Sequence, residues 1–248
     1  MTERIWDKFL TENDKEILGG TGYGARAGFG ERPALLVIDV SYGFTGEKDQ
    51  TIAESQDTWP NSCGEYAWSA IPKIRSLLDA AHRKGLPVFY TTGEFRDDGW
   101  DYGSWAWKSA RVDGWSGDKS QSNRGGNDIV DEIAPEPQDV VIHKIKPSAF
   151  YGTPFSSFLK LTKADSLIVT GTVTGGCVRA SVIDAFSENL RVTVVEDGCF
   201  DRLEVAHAIN LMEMNAKYAD VLPVSEVLEY VEGLPEGLFE LPKGTERN

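Results

Sequence analysis

Six short apolar runs, each continuous rather than alternating, recur along the chain with helical stretches between them. They are ALLVID (34–39), PVFYTT (87–92), DVVIHK (139–144), SLIVTG (166–171), RVTVVED (191–197) and ADVLPV (219–224). A strand wetted on one side alternates apolar with polar residues, whereas a continuous apolar run needs cover on both faces. Between the runs, EYAWSAIPKIRSLLDAAHRKG, SSFLKLTKA, VRASVIDAFSENL and LEVAHAINLMEMNAKY carry apolar residues at helical spacing. The first of these closes on Gly85-Leu86-Pro87, a helix stop. This alternation predicts a three-layer αβα domain built on a doubly wound, mainly parallel six-stranded sheet.

The 248 residues, 41% of them hydrophobic, suffice for one such domain, and no repeat or low-complexity linker divides it. The expected organisation is an N-terminal arm (1–30), a domain over 31–235 and a C-terminal tail (236–248). Glycines in GGTGYGARAGFG precede the first strand, whereas a dinucleotide loop follows a strand and opens a helix, so they read as a lead-in loop. Two insertions stand out, at 45–65 and 97–127. The longer one holds Trp100, Trp105, Trp107 and Trp115, which could line a pocket or pack against another subunit.

A formal charge of -14 repels polyanions, so neither nucleic acid nor an anionic membrane is an expected partner. No apolar run approaches a membrane span, and MTERIWDKFL lacks the apolar core of a signal peptide. Three cysteines, none in a CxxC pair, fit a reducing cytoplasm.

In an open parallel sheet, ligands gather at the carboxyl ends of the strands. The first run ends in Asp39 and the third in Lys144, and the fourth leads through TVTGG to Cys177 at a strand-to-helix junction. An acid, an ammonium and a thiol thus share one sheet edge. Positive charge from Lys144 and from the helix N-terminus favours a thiolate there, and Asp39 can accept the thiol proton. Glycines before Cys177 let backbone N–H groups approach a developing oxyanion. Such a site suits attack on an amide or ureido carbonyl. Each residue taken alone has a plainer reading: Cys177 as a small buried hydrophobe, Asp39 as a turn residue, Lys144 as a surface cation. Cys63 and Cys199 have no comparable surroundings and are read as core.

RAGFGERPALLVIDVSYGF (26–44), KGLPVFYTT (84–92), VVIHKIKPSAFYGTPF (140–155), SLIVTGTVTGGCVRASVIDAF (166–186) and EDGCFDR (196–202) follow one another in an order that resembles the isochorismatase-like cysteine hydrolases. The GxxxxGCVRxSVxDA pattern with an upstream KxxxSAF carries the resemblance. The GFGxRPA lead-in points to the branch of N-carbamoylsarcosine amidase and maleamate amidohydrolase. The resemblance implies Asp39 as general base, Lys144 as supporting cation and Cys177 as nucleophile. It implies a cis peptide joining Thr172 to Val173, and an oxyanion hole from the amides of Val173 and Cys177. It also implies Arg202, in the GxxDR pattern, as the residue that binds a substrate carboxylate, with Thr172 as a further substrate contact. Many relatives carry threonine where this chain has Val173, so a hydroxyl contact at that position is lost.

Metal-dependent relatives use an aspartate and histidines. His82, His143 and His207 are far apart in sequence, with His82 and His207 read as lying on outer helix faces, so no metal and no cofactor is expected. Isochorismatase itself acts on a vinyl ether and typically lacks this nucleophile, so Cys177 argues against that activity. The expected function is hydrolysis of a small carboxylate-bearing ureido or amide substrate by a homo-oligomer, dimer or tetramer. A binding or redox-sensing protein that keeps the fold without turnover is the rival.

Overall fold

The computed structural model of the chain describes residues 4–109 and 124–242. All six expected strands form: β1 (Pro33–Ile38), β2 (Val88–Gly93), β3 (Val140–Lys144), β4 (Ser166–Thr172), β5 (Arg191–Phe200) and β6 (Asp220–Leu222). They make one sheet in the order β3-β2-β1-β4-β5-β6, and every pairing is parallel.

Why the runs are apolar throughout follows from the layers. Along β1, Leu35 and Val37 point into one core and Ala34, Leu36 and Ile38 into the other. The first core is covered by the helices Glu65–Lys84 and Val224–Gly233, which supply Ile71, Ile74, Leu78, Val227 and Val231. The second is covered by Phe155–Thr162, Arg179–Ser187 and Glu204–Lys217, which supply Phe155, Val182 and Leu211. In chain order the helices are α1 (Glu12–Gly20), α2 (Tyr42–Thr45), α3 (Ile52–Ser55), α4 (Glu65–Lys84), α5 (Ser104–Lys108), α6 (Phe155–Thr162), α7 (Arg179–Ser187), α8 (Glu204–Lys217) and α9 (Val224–Gly233).

Strand order reverses between β1 and β4, which pair directly although two strands and over a hundred residues separate them. At such a reversal the connections leave in opposite directions and open a crevice at the carboxyl edge. Gly171 permits the closest approach there. It has φ 108° and lies beside a register shift in β4, and a Cβ on it would stand 2.1 Å from the Ile38 carbonyl oxygen.

Of the helices not expected, two fasten the ends of the domain. The arm contains α1, capped by a reciprocal box in which Thr11 and Asp14 satisfy each other's backbone N–H groups. It is also fastened to the domain, with the amides of Ala27 and Gly28 donating to the Asp220 carboxylate at 2.9 and 2.7 Å. Helix α9 follows Pro223 directly and covers the end of α4.

Candidate active site

Asp39 is the first residue beyond β1 and has a left-handed backbone, φ 53°, unusual for a residue with a side chain. Aspartate tolerates that region better than most residues, and such strain collects at functional sites. The conformation is pinned by β2: the Asp39 amide donates to the Thr91 carbonyl at 3.0 Å, and the Thr91 hydroxyl donates to Asp39 Oδ1 at 2.7 Å. The other carboxylate oxygen accepts from Lys144 Nζ at 2.7 Å. Lys144 ends β3, two strands away, and also donates to the Lys146 carbonyl at 3.2 Å. Asp39 and Lys144 are both buried, so they form an ion pair largely withdrawn from water.

Cys177 lies on a single π turn, Thr174–Val178, that leads into α7. Its sulfur is within hydrogen-bonding range of both the Asp39 carboxylate and the Lys144 ammonium. The three residues predicted from the strand ends therefore meet, as the topology requires. The turn is held from behind: Asp201 accepts from the Gly175 amide at 2.9 Å, and the Thr174 hydroxyl bonds His207 Nδ1 at 2.8 Å. His207 is therefore half-buried and engaged, not free on an outer helix face. His82 is likewise packed against Asp139, at 2.9 Å, and Glu136.

Electrostatics correct one expectation. Burial, then the Asp39 charge, pushes the Cys177 thiol up to about 12, and Lys144 only partly opposes this. The sulfur of the free site is a neutral thiol, not a resting thiolate. Burial alone would pull Lys144 down, but Asp39 and then the Cys177 sulfur outweigh it and hold the ammonium above its ordinary value. The Cys177 thiol proton thus faces the Asp39 carboxylate beside a cation. Moving it from sulfur to carboxylate leaves the charge of the trio unchanged, so the transfer needs no new charge in a dry site. Cys63 and Cys199 are buried as expected, and desolvation raises both thiols.

The trio opens into a cavity of about 230 Å³, small enough to imply a small ligand. Phe44 and Asn61 come from the region of the first insertion, and Phe95 and Trp105 from the segment after β2. Trp105, on α5, donates its indole N–H to the Ile145 carbonyl at 2.9 Å, which fixes this wall to the loop after β3. Trp100 and Trp107 are 81% and 83% exposed, and Trp115 lies outside the described residues.

Arg202, just past β5, also lines the cavity. One of its terminal nitrogens donates to the Asn61 carbonyl at 2.5 Å, while its Nε is buried with no partner. A buried donor left unsatisfied is costly unless a ligand accepts from it.

The peptide joining Thr172 to Val173 is cis, and Val173, Gly176 and Cys177 all border the cavity. Thr172 does not. Its side chain is fully buried and its hydroxyl donates to the Phe200 carbonyl at 3.2 Å, so it belongs to the sheet and is not a substrate contact. Among the described residues, no cluster of three or more His, Cys, Asp and Glu side chains could hold a metal, and no helix is long and apolar enough to cross a membrane.

Sequence reasoning missed Thr91, Asp201 and His207, which position the trio, and Asn61, Asn127 and Lys146, which line the cavity. Asp201 and Thr91 each lie in a segment quoted for the resemblance, but nothing in their spacing says where their side chains point.

Comparison with known proteins agrees with this fold. The isochorismatase domain model matches residues 33–226. N-carbamoylsarcosine amidase of Arthrobacter sp is 32% identical over 237 residues, covering 94% of this chain and 83% of that protein. Maleamate amidohydrolase of Pseudomonas putida is 28% identical over 216 residues, covering 86% of this chain and 92% of that protein. The crystal structure of N-carbamoylsarcosine amidase from Thermoplasma acidophilum superposes with a TM-score of 0.59 at 26% identity, covering 78% of this chain and 96% of that one. The chain belongs to the isochorismatase-domain family of hydrolases.

Proposed function

We propose that the protein is a cysteine-dependent amidohydrolase that releases ammonia from a small linear ureido or amide substrate bearing a carboxylate. N-Carbamoylsarcosine or a close ureido acid is the first choice, and maleamate the second. One observation carries the reading: the Asp39–Lys144–Cys177 trio opens into the same small cavity as Arg202, whose buried Nε has no partner. A substrate carboxylate on Arg202 orients the molecule with its carbonyl toward the sulfur.

The chemistry runs on one shuttled proton. Asp39 takes the Cys177 proton as the sulfur attacks the carbonyl carbon. The carbonyl oxygen becomes anionic and accepts from the amides of Val173 and Cys177. Collapse breaks the C–N bond, and the proton on Asp39 leaves with the nitrogen as ammonia. Water, deprotonated by Asp39, then attacks the thioester-type carbonyl and frees the thiol. A ureido acid yields a carbamate, which loses carbon dioxide to give the amine; an amide yields the acid. Lys144 keeps its charge throughout and stabilises each anion in turn.

Three buried free thiols suit a reducing cytoplasm. The exposed tryptophans beside the cavity suit a homo-oligomer, which mass photometry would test. The decisive panel is ammonia release from N-carbamoylsarcosine, N-carbamoylglycine and maleamate by the wild type and Cys177→Ala. Turnover of at least one compound, abolished in C177A, is the expected result. Equal release by both proteins would remove the mechanism.

A further inference from the structure

The walls of the cavity hold more positive charge than one carboxylate requires. Its described lining contains three cations, Lys144, Lys146 and Arg202, against a single acid, Asp39. Asp39 and Lys144 neutralise each other. Lys146 and Arg202 remain, and neither has a carboxylate within salt-bridge range among the described residues.

No described acid pairs with Lys146. Asp98 is taken by the Arg96 side chain at 2.5 Å, Asp101 by the Arg96 amide at 3.2 Å, and Glu94 faces His143 at 3.4 Å. The ammonium rests instead against the backbone at the start of α5: a Cβ on Gly103 would stand 3.2 Å from Lys146 Nζ. The Lys146 carbonyl is meanwhile bonded to Lys144 Nζ, which ties this residue to the reacting end of the cavity. Two cations with no carboxylate partner among the described residues, in a partly desolvated pocket, repel one another, a cost that two anionic groups on one ligand would reverse. On a chain of formal charge -14 such a pocket is a local exception, so the excess is a property of the site.

We infer that Lys146 is a specificity residue for a second acidic group, and that the preferred substrate carries two free carboxylates in addition to its ureido or amide group. One carboxylate binds Arg202 and the other Lys146. This rests on the hydrolase reading above, with Cys177 attacking the carbonyl.

The test compares N-carbamoyl-L-aspartate, a diacid, with N-carbamoylglycine, a monoacid, by ammonia release from wild type, Lys146→Met and Lys146→Arg. A charge-assisted contact of about 1.5–3 kcal/mol corresponds to roughly 10- to 150-fold in kcat/KM. Wild type should favour the diacid by at least about tenfold, mainly through KM. K146M should lower the diacid-to-monoacid ratio by a similar factor, and K146R should restore most of it. A wild type that favours the monoacid, or a ratio unmoved in K146M, would overturn the inference. Failure of the hydrolase reading is separable, because calorimetry on C177A needs no turnover. Succinate should bind more tightly than propionate, and C177A/K146M should lose that difference. Equal binding of the two acids to C177A would also overturn the inference.

Discussion

Asp39 and Lys144 offer a sharp test of how the site is held together, through Asp39→Asn, Lys144→Met and the double variant. The pair is buried and joined at 2.7 Å, so removing either partner strands the other without compensation. That loss is about 3–5 kcal/mol for each single variant. In a chain of this size it lowers the melting temperature by roughly 6–20 °C. Removing both leaves no stranded charge, so the double variant should be no less stable than either single one. The implied coupling is about 3 kcal/mol or more, at the top of the range for directly contacting residues. D39N carries a further signature. With the carboxylate gone, burial pulls Lys144 down against the Cys177 sulfur alone, while the unfolded lysine keeps its ordinary value near 10.4. The unfolded chain then binds more protons between those two values, so the D39N deficit should shrink as pH rises from 7 toward 9. Urea unfolding of the four proteins across that range gives all of these quantities, and ammonia release supplies the functional arm. Activity should fall by about 10²–10⁴ in D39N and not return in the double variant. Additive stability losses, with coupling below about 0.5 kcal/mol, would refute the buried ion pair.

Other consequences are local. Gly171→Ala forces a Cβ against the Ile38 carbonyl at a backbone angle alanine avoids, and should cost about 2–5 kcal/mol in thermal unfolding; an unchanged melting temperature would mean that β1 and β4 do not approach so closely. Asp201→Ala frees the Gly175 amide behind Cys177, so kcat should fall by about tenfold or more with KM nearly constant, and D201N should recover part of it; a change in KM alone would contradict a positioning role. Because burial holds the native Cys177 thiol up to about 12, alkylation of the ligand-free protein by iodoacetamide should still be rising at pH 10, with no plateau near the ordinary thiol value of about 8.5. The same raised thiol makes stability complete below the unfolded value and progressively lost as pH climbs from about 8.5 toward 12.

Much of this molecule is written in local sequence. Continuous apolar runs such as SLIVTG need two covering layers, and that requirement alone leads to the parallel sheet and to a site at its carboxyl edge. Asp39, Lys144 and Cys177 were therefore legible as residues sharing an edge. Their electrostatic state was not, because burial depends on what the rest of the chain packs around them. Lysine beside cysteine suggests a thiolate, but desolvation reverses the sign. Thr172 shows the opposite failure: the resemblance implied a substrate contact, but the side chain is fully buried and its hydroxyl donates to the Phe200 carbonyl. His207 looked peripheral on a helical wheel and is half-buried, with the π turn placing the Thr174 hydroxyl against its ring. Lys146 and Asn61 belong to loops whose course only the folded chain reveals.

The central claim is that the Cys177 sulfur becomes covalently bonded to the substrate carbonyl while ammonia departs. Rapid acid quenching during turnover, followed by intact-mass and peptide mass spectrometry, observes that bond directly. An acyl adduct on the Cys177 peptide, formed with a stoichiometric burst of ammonia and missing from C177A, is the expected outcome. Steady ammonia release with no adduct at any quench time, retained in C177A, would contradict it.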